Sequence, residues 1–332
     1  MALFISVPHS VLPKSLGKII DGKWVSPHTH ATKYMARRVT GDSQMYRLAA
    51  RSYLNDLSVL ATPSSPLNLD AAMLGIDRTD IDAINWNTSC GYSLRTWGMK
   101  TKWDLFEEQG GKYVLKDNVL QAIIAFENEV STGNLPSIIV EYTIKDEVRP
   151  KEKFDNQKVR LFSNVDFIYN IVMRMYVLPL LNILLANPTV SECFGKLNAG
   201  STEWTALAIY LSHDNAKGTR YYDADFSSFD SCHRMEHFRE IGYVMFEFSK
   251  LCGYDDRSAR MVYYLFFMLS NQTLKYKSDW SMKFYGMPSG VIVTLMLNSI
   301  QNSIMYRVAF GKVTNIPLRH FKKLVFLSLR NF

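Results

Sequence analysis

Tyr221-Tyr222-Asp223-Ala224-Asp225-Phe226-Ser227-Ser228-Phe229-Asp230 reads as a short strand of alternating character that ends on the carboxylate of Asp225, with a second carboxylate, Asp230, five positions on. A strand side chain at Asp225 points to one face of its sheet. A tight turn through Phe226 to Phe229 can bring Asp230 back beside it. Two acids so placed are costly unless a cation or a set of donors sits between them. The pair is therefore a candidate Mg²⁺ and nucleotide site. Acids at a strand-to-helix turn also serve as an N-cap with a solvated neighbour, and this stretch alone leaves both readings open.

A second stretch bears on the choice: Gly286-Met287-Pro288-Ser289-Gly290-Val291-Ile292-Val293-Thr294-Leu295-Met296-Leu297-Asn298-Ser299. Pro and Gly around Ser289 make a loop, and the run from Val291 onward has the length and apolar spacing of a helix. Thr294 and Asn298 are four apart and share a helical face. A polar file of Ser289, Thr294 and Asn298 on an apolar helix needs partners. Asp230 is a suitable one, because its carboxylate can accept from Asn298 while both address a ribose 2′-hydroxyl. Local capping or back-bonding is the competing account of Thr294 and Asn298.

Asp-x4-Asp followed by Ser-Gly-x3-Thr-x3-Asn resembles the paired motifs A and B of RNA-dependent RNA polymerases from picornavirus-like positive-strand viruses. Two upstream stretches extend the resemblance. Asn87-Thr88-Ser89-Cys90-Gly91-Tyr92 is a small-residue loop ahead of Arg95, Lys100 and Lys102. Hydroxyls, and a glycine that lets the backbone come close, suit a phosphate contact, although an ordinary surface turn has the same composition. This loop resembles motif G at the template entrance, with Cys90 and Ser93 standing where relatives often carry Pro.

Ser137 to Ile144 is a β-rich run into Lys145-Asp146-Glu147-Val148-Arg149-Pro150-Lys151-Glu152-Lys153. After a turn near Asn156 comes Lys158-Val159-Arg160-Leu161-Phe162. Two basic strands so joined can set Lys145, Arg149, Lys153 and Arg160 along one groove. With Asp146, Glu147 and Glu152 intermixed, a solvated charged hairpin is the alternative. The region resembles motif F, whose cations grip a triphosphate: Lys as a point charge, Arg through planar bidentate contacts.

With 332 residues and 47% apolar content, the chain can bury a large core divided into more than one lobe. A net charge of +7 suits a channel for a polyanion without proving one. Cys90, Cys193, Cys232 and Cys252 lack CxxC or His spacing, so reduced thiols are expected and zinc is not. Residues 1–40 read as extended structure lying over something else. Gln44 to Leu60 and Leu67 to Ile76 read as helices, the first broken by Thr62-Pro63. Ile168 to Ala186 is the most apolar segment, yet it contains Asn170, Arg174 and Asn182, so a buried helix is expected over a membrane span. Phe238 to Cys252 and Arg257 to Leu269 read as core helices. Asp255-Asp256 after Gly253 is expected to cap the second of these rather than form a catalytic Gly-Asp-Asp turn, because it precedes the Ser289 loop. Thr273 to Tyr276 and Met282 to Tyr285 read as a hairpin leading into that loop.

The resemblance implies an α+β right-hand polymerase fold, with fingers and a partial palm but no thumb. Its divisions would be fingers over 1–178, palm over 179–270, a fingers hairpin over 271–287 and palm again over 288–332. It implies RNA-templated RNA synthesis with Mg²⁺ or Mn²⁺ held by Asp225. Asp230, Ser289 and Asn298 would read the 2′-hydroxyl with Thr294 in support. Lys145, Arg149, Lys153, Lys158 and Arg160 would hold the triphosphate. Thr88, Ser89, Gly91, Tyr92 and Gly290 would touch template RNA. Implied partners are RNA template and primer, ribonucleoside triphosphates, a protein primer and other viral replication proteins. The implied location is membrane-associated replication complexes in host cytoplasm.

One expected element is missing. From Trp280 to Phe332 there is no Asp or Glu, and Phe321 to Leu329, an expected buried strand, ends without the Gly-Asp-Asp turn of motif C. The chain therefore reads as a fragment, or as one whose last residues leave the family's reading frame, and residues 1–332 alone are expected to polymerise poorly. A catalytically incomplete RNA-binding module and a reverse transcriptase are the rival readings.

Overall fold

The structure, a computed structural model, describes residues 10–11, 18–25, 43–145, 149–150, 161–195, 200–212, 226, 229–276, 280–284 and 286–321. The chain begins with β1 (Ser10–Val11) and a small hairpin of β2 (Lys18–Ile20) and β3 (Lys23–Val25). In α1 (Ser43–Leu57), Tyr46, Ala49, Ala50, Tyr53 and Leu57 recur at three- and four-residue steps and are all buried. α2 (Leu69–Leu74) starts where the Asn68 side chain accepts from Ala71 N–H, and it stops at Gly75, whose φ of +76° a side chain would resist. The short α3 (Tyr92–Arg95) and the hairpin of β4 (Phe106–Gln109) and β5 (Lys112–Leu115) lead into α4 (Asp117–Ser131).

Then come β6 (Ile138–Ile144), β7 (Arg149–Pro150) and β8 (Leu161–Val165), followed by α5 (Phe167–Ala186), the single turn α6 (Pro188–Ser191) and α7 (Glu203–Ser212). The rest is α8 (Met235–Leu251), α9 (Asp256–Met268), the strands β9 (Gln272–Tyr276) and β10 (Trp280–Phe284), and α10 (Thr294–Thr314). Each helix expected from periodicity is present, within a few residues of its expected ends.

A four-stranded sheet in the order β10-β9-β6-β8 positions the site. β6 runs antiparallel to β8, with Ile144 opposite Leu161, and parallel to β9, with Ile138 opposite Gln272. The expected hairpin before the Ser289 loop therefore joins the same sheet as the strands flanking the basic segment. β1 pairs with β7, Val11 against Arg149, so this part of the N-terminal region does lie over another element.

α5 is long and apolar enough to cross a membrane by length and composition. It buries Ile171, Val172, Tyr176, Leu180 and Leu184 among others, and packs against α2, α4 and α9 as a core helix. α8 and α9 form the most extensive helix pair. Phe238, Met245 and Phe248 from one, with Met261, Leu265 and Phe266 from the other, are fully enclosed. The Met and aromatic stripes are core.

Candidate nucleotide and template site

The chain around the second carboxylate closes into a single 3-10 turn, Phe229–Cys232, with Asp230 half-buried on it. Phe226 and Phe229 pack ring to ring at 4.9 Å. Asp225 itself lies outside the described residues. His233 buttresses the turn from behind: its Nδ1 lies 3.2 Å from Phe229 O, and its ring stacks on Phe238. Burial pushes the His233 imidazole down to about 3, so it is neutral near pH 7. Since a carbonyl can only accept, Nδ1 carries the hydrogen.

The two stretches singled out in the sequence meet at the backbone. Met287 N–H donates to Asp230 O at 2.9 Å, two residues ahead of Ser289. The loop then lies against β8. Ser163 N–H donates to Ser289 Oγ at 3.1 Å, and Gly290 approaches so closely that a Cβ there would stand 2.0 Å from Ser163 O. Thr294 turns inward, with Oγ1 2.6 Å from Val291 O and 3.2 Å from Pro288 O. Its hydroxyl thus closes the loop, the local role that competed with a direct nucleotide role. Asn298 sits one turn further along α10, half-buried, and its buried Oδ1 has no hydrogen-bond partner among the described residues. A buried acceptor left open in this way marks a place where a donor is wanted.

The small-residue loop at 87–92 is tied to the same strand. Asn164 Nδ2 donates to Ser89 Oγ at 2.8 Å, Phe167 N–H to Cys90 O at 3.1 Å, and Ser93 N–H and Oγ to the Asp166 carboxylate at 2.9 and 2.7 Å. Burial raises Asp166, against the lowering effect of the Ser93 bonds. Gly91 has a φ of +94°, and a Cβ on it would lie 2.6 Å from Asp166 Cα. The close approaches that Gly91 and Gly290 permit are made to protein backbone, so both glycines are needed for packing. Thr88 is exposed, and Lys102 Nζ bonds to its hydroxyl. Burial lowers the Lys102 ammonium. Tyr92 is flanked by two cations, Arg95 at 5.9 Å and Lys275 at 5.4 Å from its ring centroid.

Of the basic segment, Lys145 is exposed at the end of β6 and Arg149 lies in β7. Lys153, Lys158 and Arg160 lie outside the described residues. The strands flanking that segment, β6 and β8, lie side by side at Ile144 and Leu161. Asp255 caps α9 as expected, accepting from Ser258 N–H at 2.9 Å.

Among the described residues no three acids, histidines or cysteines gather as a metal cluster. Asp225 and Asp230 are hard oxygen donors, the type that suits Mg²⁺, which takes one or two carboxylates and fills its shell with water and substrate phosphates. The donor set fits such an ion in kind.

Sequence reasoning missed the segment that joins the two loops: Ser163, Asn164, Asp166 and Asn170. In the sequence Asn170 reads only as a polar interruption in an apolar helix. Its Nδ2 donates to Gly290 O at 3.1 Å, and its Oδ1 accepts from Ile292 N–H at 3.4 Å.

Comparison with known proteins gives the chain's relatives and its fold. A model of the viral RNA-dependent RNA polymerase family matches residues 30–329. The chain is 31% identical over 258 residues to the RNA1 polyprotein of Tomato torrado virus, covering 75% of this chain and 12% of the polyprotein. It is 28% identical over 311 residues to the replicase polyprotein of Acute bee paralysis virus, covering 88% and 15% respectively. Among solved structures, a Sicinivirus 3Dpol RNA-dependent RNA polymerase superposes with a TM-score of 0.67 at 20% identity, covering 85% of this chain and 56% of that one. The fold is the right-hand polymerase fold, mixed helix and sheet. The chain belongs to the viral RNA-dependent RNA polymerase family, and it spans a small part of the polyproteins it matches.

Proposed function

We propose that this chain supplies the nucleotide-selecting and template-guiding part of an enzyme that copies RNA from an RNA template and ribonucleoside triphosphates, in genome replication of a picornavirus-like positive-strand virus. The observation that carries the reading is the Met287–Asp230 hydrogen bond, which seats the acidic turn against the Ser289 loop. Asp230, Ser289 and Asn298 then address the sugar. The open acceptor at Asn298 Oδ1 takes the 2′-hydroxyl hydrogen that ribonucleotides have and deoxyribonucleotides lack. Thr294 shapes the loop. Lys145, Arg149, Lys153, Lys158 and Arg160 hold the triphosphate, and Thr88, Ser89 and Tyr92 face the template backbone.

Asp225 would hold Mg²⁺ or Mn²⁺, which when bound supplies Lewis-acid stabilisation for phosphoryl transfer. The proposed division is fingers (1–178 and 271–287) and palm (179–270 and 288–332), with the hairpin grouped with the fingers because β9 and β10 share a sheet with β6 and β8. A primer, a protein primer and membrane-associated replication partners belong to the same proposal. In the full-length polymerase containing this chain, Asp230→Ala and Asn298→Ala should erode preference for NTP over 2′-dNTP more than they weaken template binding. Equal losses in both would count against the assignment.

One observation favours a second reading for residues 1–332 taken alone. The 53 positions from Trp280 to Phe332 hold no carboxylate to complete a metal pair. Residues 1–332 alone would then bind RNA without extending it. A reverse transcriptase is disfavoured, because such an enzyme needs bulk where Asp230 and Asn298 leave room for a hydroxyl.

A further inference from the structure

α5 leaves β8 and turns one polar side chain, Asn170, toward the loop ahead of α10. With one donor on Gly290 O and one acceptor on Ile292 N–H, the amide acts as a short neighbouring strand would, satisfying the backbone on both sides of Val291. The opposite wall of the loop is β8 itself, where Gly290 has no room to retreat. Thr294 ties the loop to its own carbonyls. The loop is thus clamped between a strand and a helix side chain, with Ser289 on it and Asn298 one turn into the helix that follows.

We propose that Asn170 is a positioning residue for ribonucleotide selection. Its amide fixes the Gly290–Ile292 backbone so that Ser289 and the Asn298 acceptor meet the incoming sugar in one geometry. The inference rests on the proposed role of Ser289 and Asn298. Asn170 touches no substrate, so its removal loosens the loop and leaves the reading groups in place. Asn170→Leu keeps the volume and removes both bonds. Asn170→Asp keeps the acceptor for Ile292 N–H and sets a second oxygen against Gly290 O, which is worse than no partner.

The test is the ratio of kcat/KM for NTP over 2′-dNTP in the full-length polymerase, read beside the thermal midpoint and template RNA affinity. Asn170→Leu should lower the ratio about three- to tenfold, the range of one lost hydrogen bond, and Asn170→Asp should lower it at least as far. RNA affinity should be unchanged. Asn182→Leu, a polar deletion on the same helix, is the control for general stability and should leave the ratio alone. Should the leucine variant not fold, Asn170→Ser removes the same two bonds with less added apolar surface. An unchanged ratio, or equal loss of rate on both substrates, overturns the clamp. Ser289→Ala and Asn298→Ala run in parallel. If they leave the ratio untouched, the underlying assignment fails and the clamp with it; if they lower it and Asn170→Leu does not, only the clamp fails.

Discussion

Arg307 is fully enclosed, yet it is charged. Its guanidinium reaches Asp56 at 2.6 Å and Glu192 at 3.1 Å, bonds to Ser303, and lies over the rings of Tyr53 and Phe321. This one side chain joins α10 to α1 and to the residue after α6. Removing one partner of a buried pair leaves the other charge without compensation. Arg307→Ala should therefore cost about 3–5 kcal/mol in urea unfolding. The double variant Arg307→Met, Glu192→Leu should recover much of that loss, and a single-variant loss of under about 1 kcal/mol would show the pair to be solvated.

His237 gives the same scale a pH dependence. It stacks on Tyr46 at 4.5 Å, bonds Gln301 and faces Arg234, and burial with that positive neighbour pushes it down to about 4. Below its ordinary value of 6.5 the unfolded chain takes up a proton that the folded chain refuses, so stability falls as pH drops from 6.5 toward 4. Asp166, raised by burial, has the opposite sign: its contribution is present at low pH and lost as pH rises through its folded value. The quantity to measure is the difference between the parent chain and His237→Gln. The variant should lose less stability than the parent between pH 6.5 and 4, the remaining loss belonging to His233, and parallel curves would refute the assignment.

At the scale of elements, Asp255 shows an acid used by a helix start: its carboxylate accepts from both the N–H and the hydroxyl of Ser258. Asp255→Ala should lower stability by about 1 kcal/mol through the lost cap and leave incorporation kinetics of the full-length polymerase unchanged. The Ser289 loop behaves in the reverse way. An alanine at Gly290 meets Ser163 backbone at 2.0 Å, which no rotamer change relieves, so the loop must lift off β8. Gly290→Ala should reduce ribose preference and rate in the full-length enzyme with little change in thermal midpoint. An unaltered ribose preference would show that the loop need not sit on the strand.

At the scale of the whole molecule, a charge of +7 on the chain sets a test independent of any single residue. Residues 1–332 should bind single-stranded RNA with an affinity that falls steeply as salt rises, since counterion release dominates contacts with phosphate. They should incorporate no nucleotide. Template-directed incorporation by residues 1–332, abolished by Asp225→Ala, would contradict this.

What the sequence by itself determined is local or sequential. The α8 and α9 core stripes, the Asp255 cap, the β9–β10 hairpin and the order of the polar motifs depend on spacings of a few residues, and these can be counted along the chain. Only the tertiary structure decided that Asn170 holds a loop 120 residues away, that Asp166 fixes the turn beginning at Gly91, and that α10 buries Gln301, Asn302, Ser303 and Arg307. The reason is physical. A polar side chain inside an apolar helix carries no mark of which distant backbone group it will satisfy, because packing makes that choice once the elements meet.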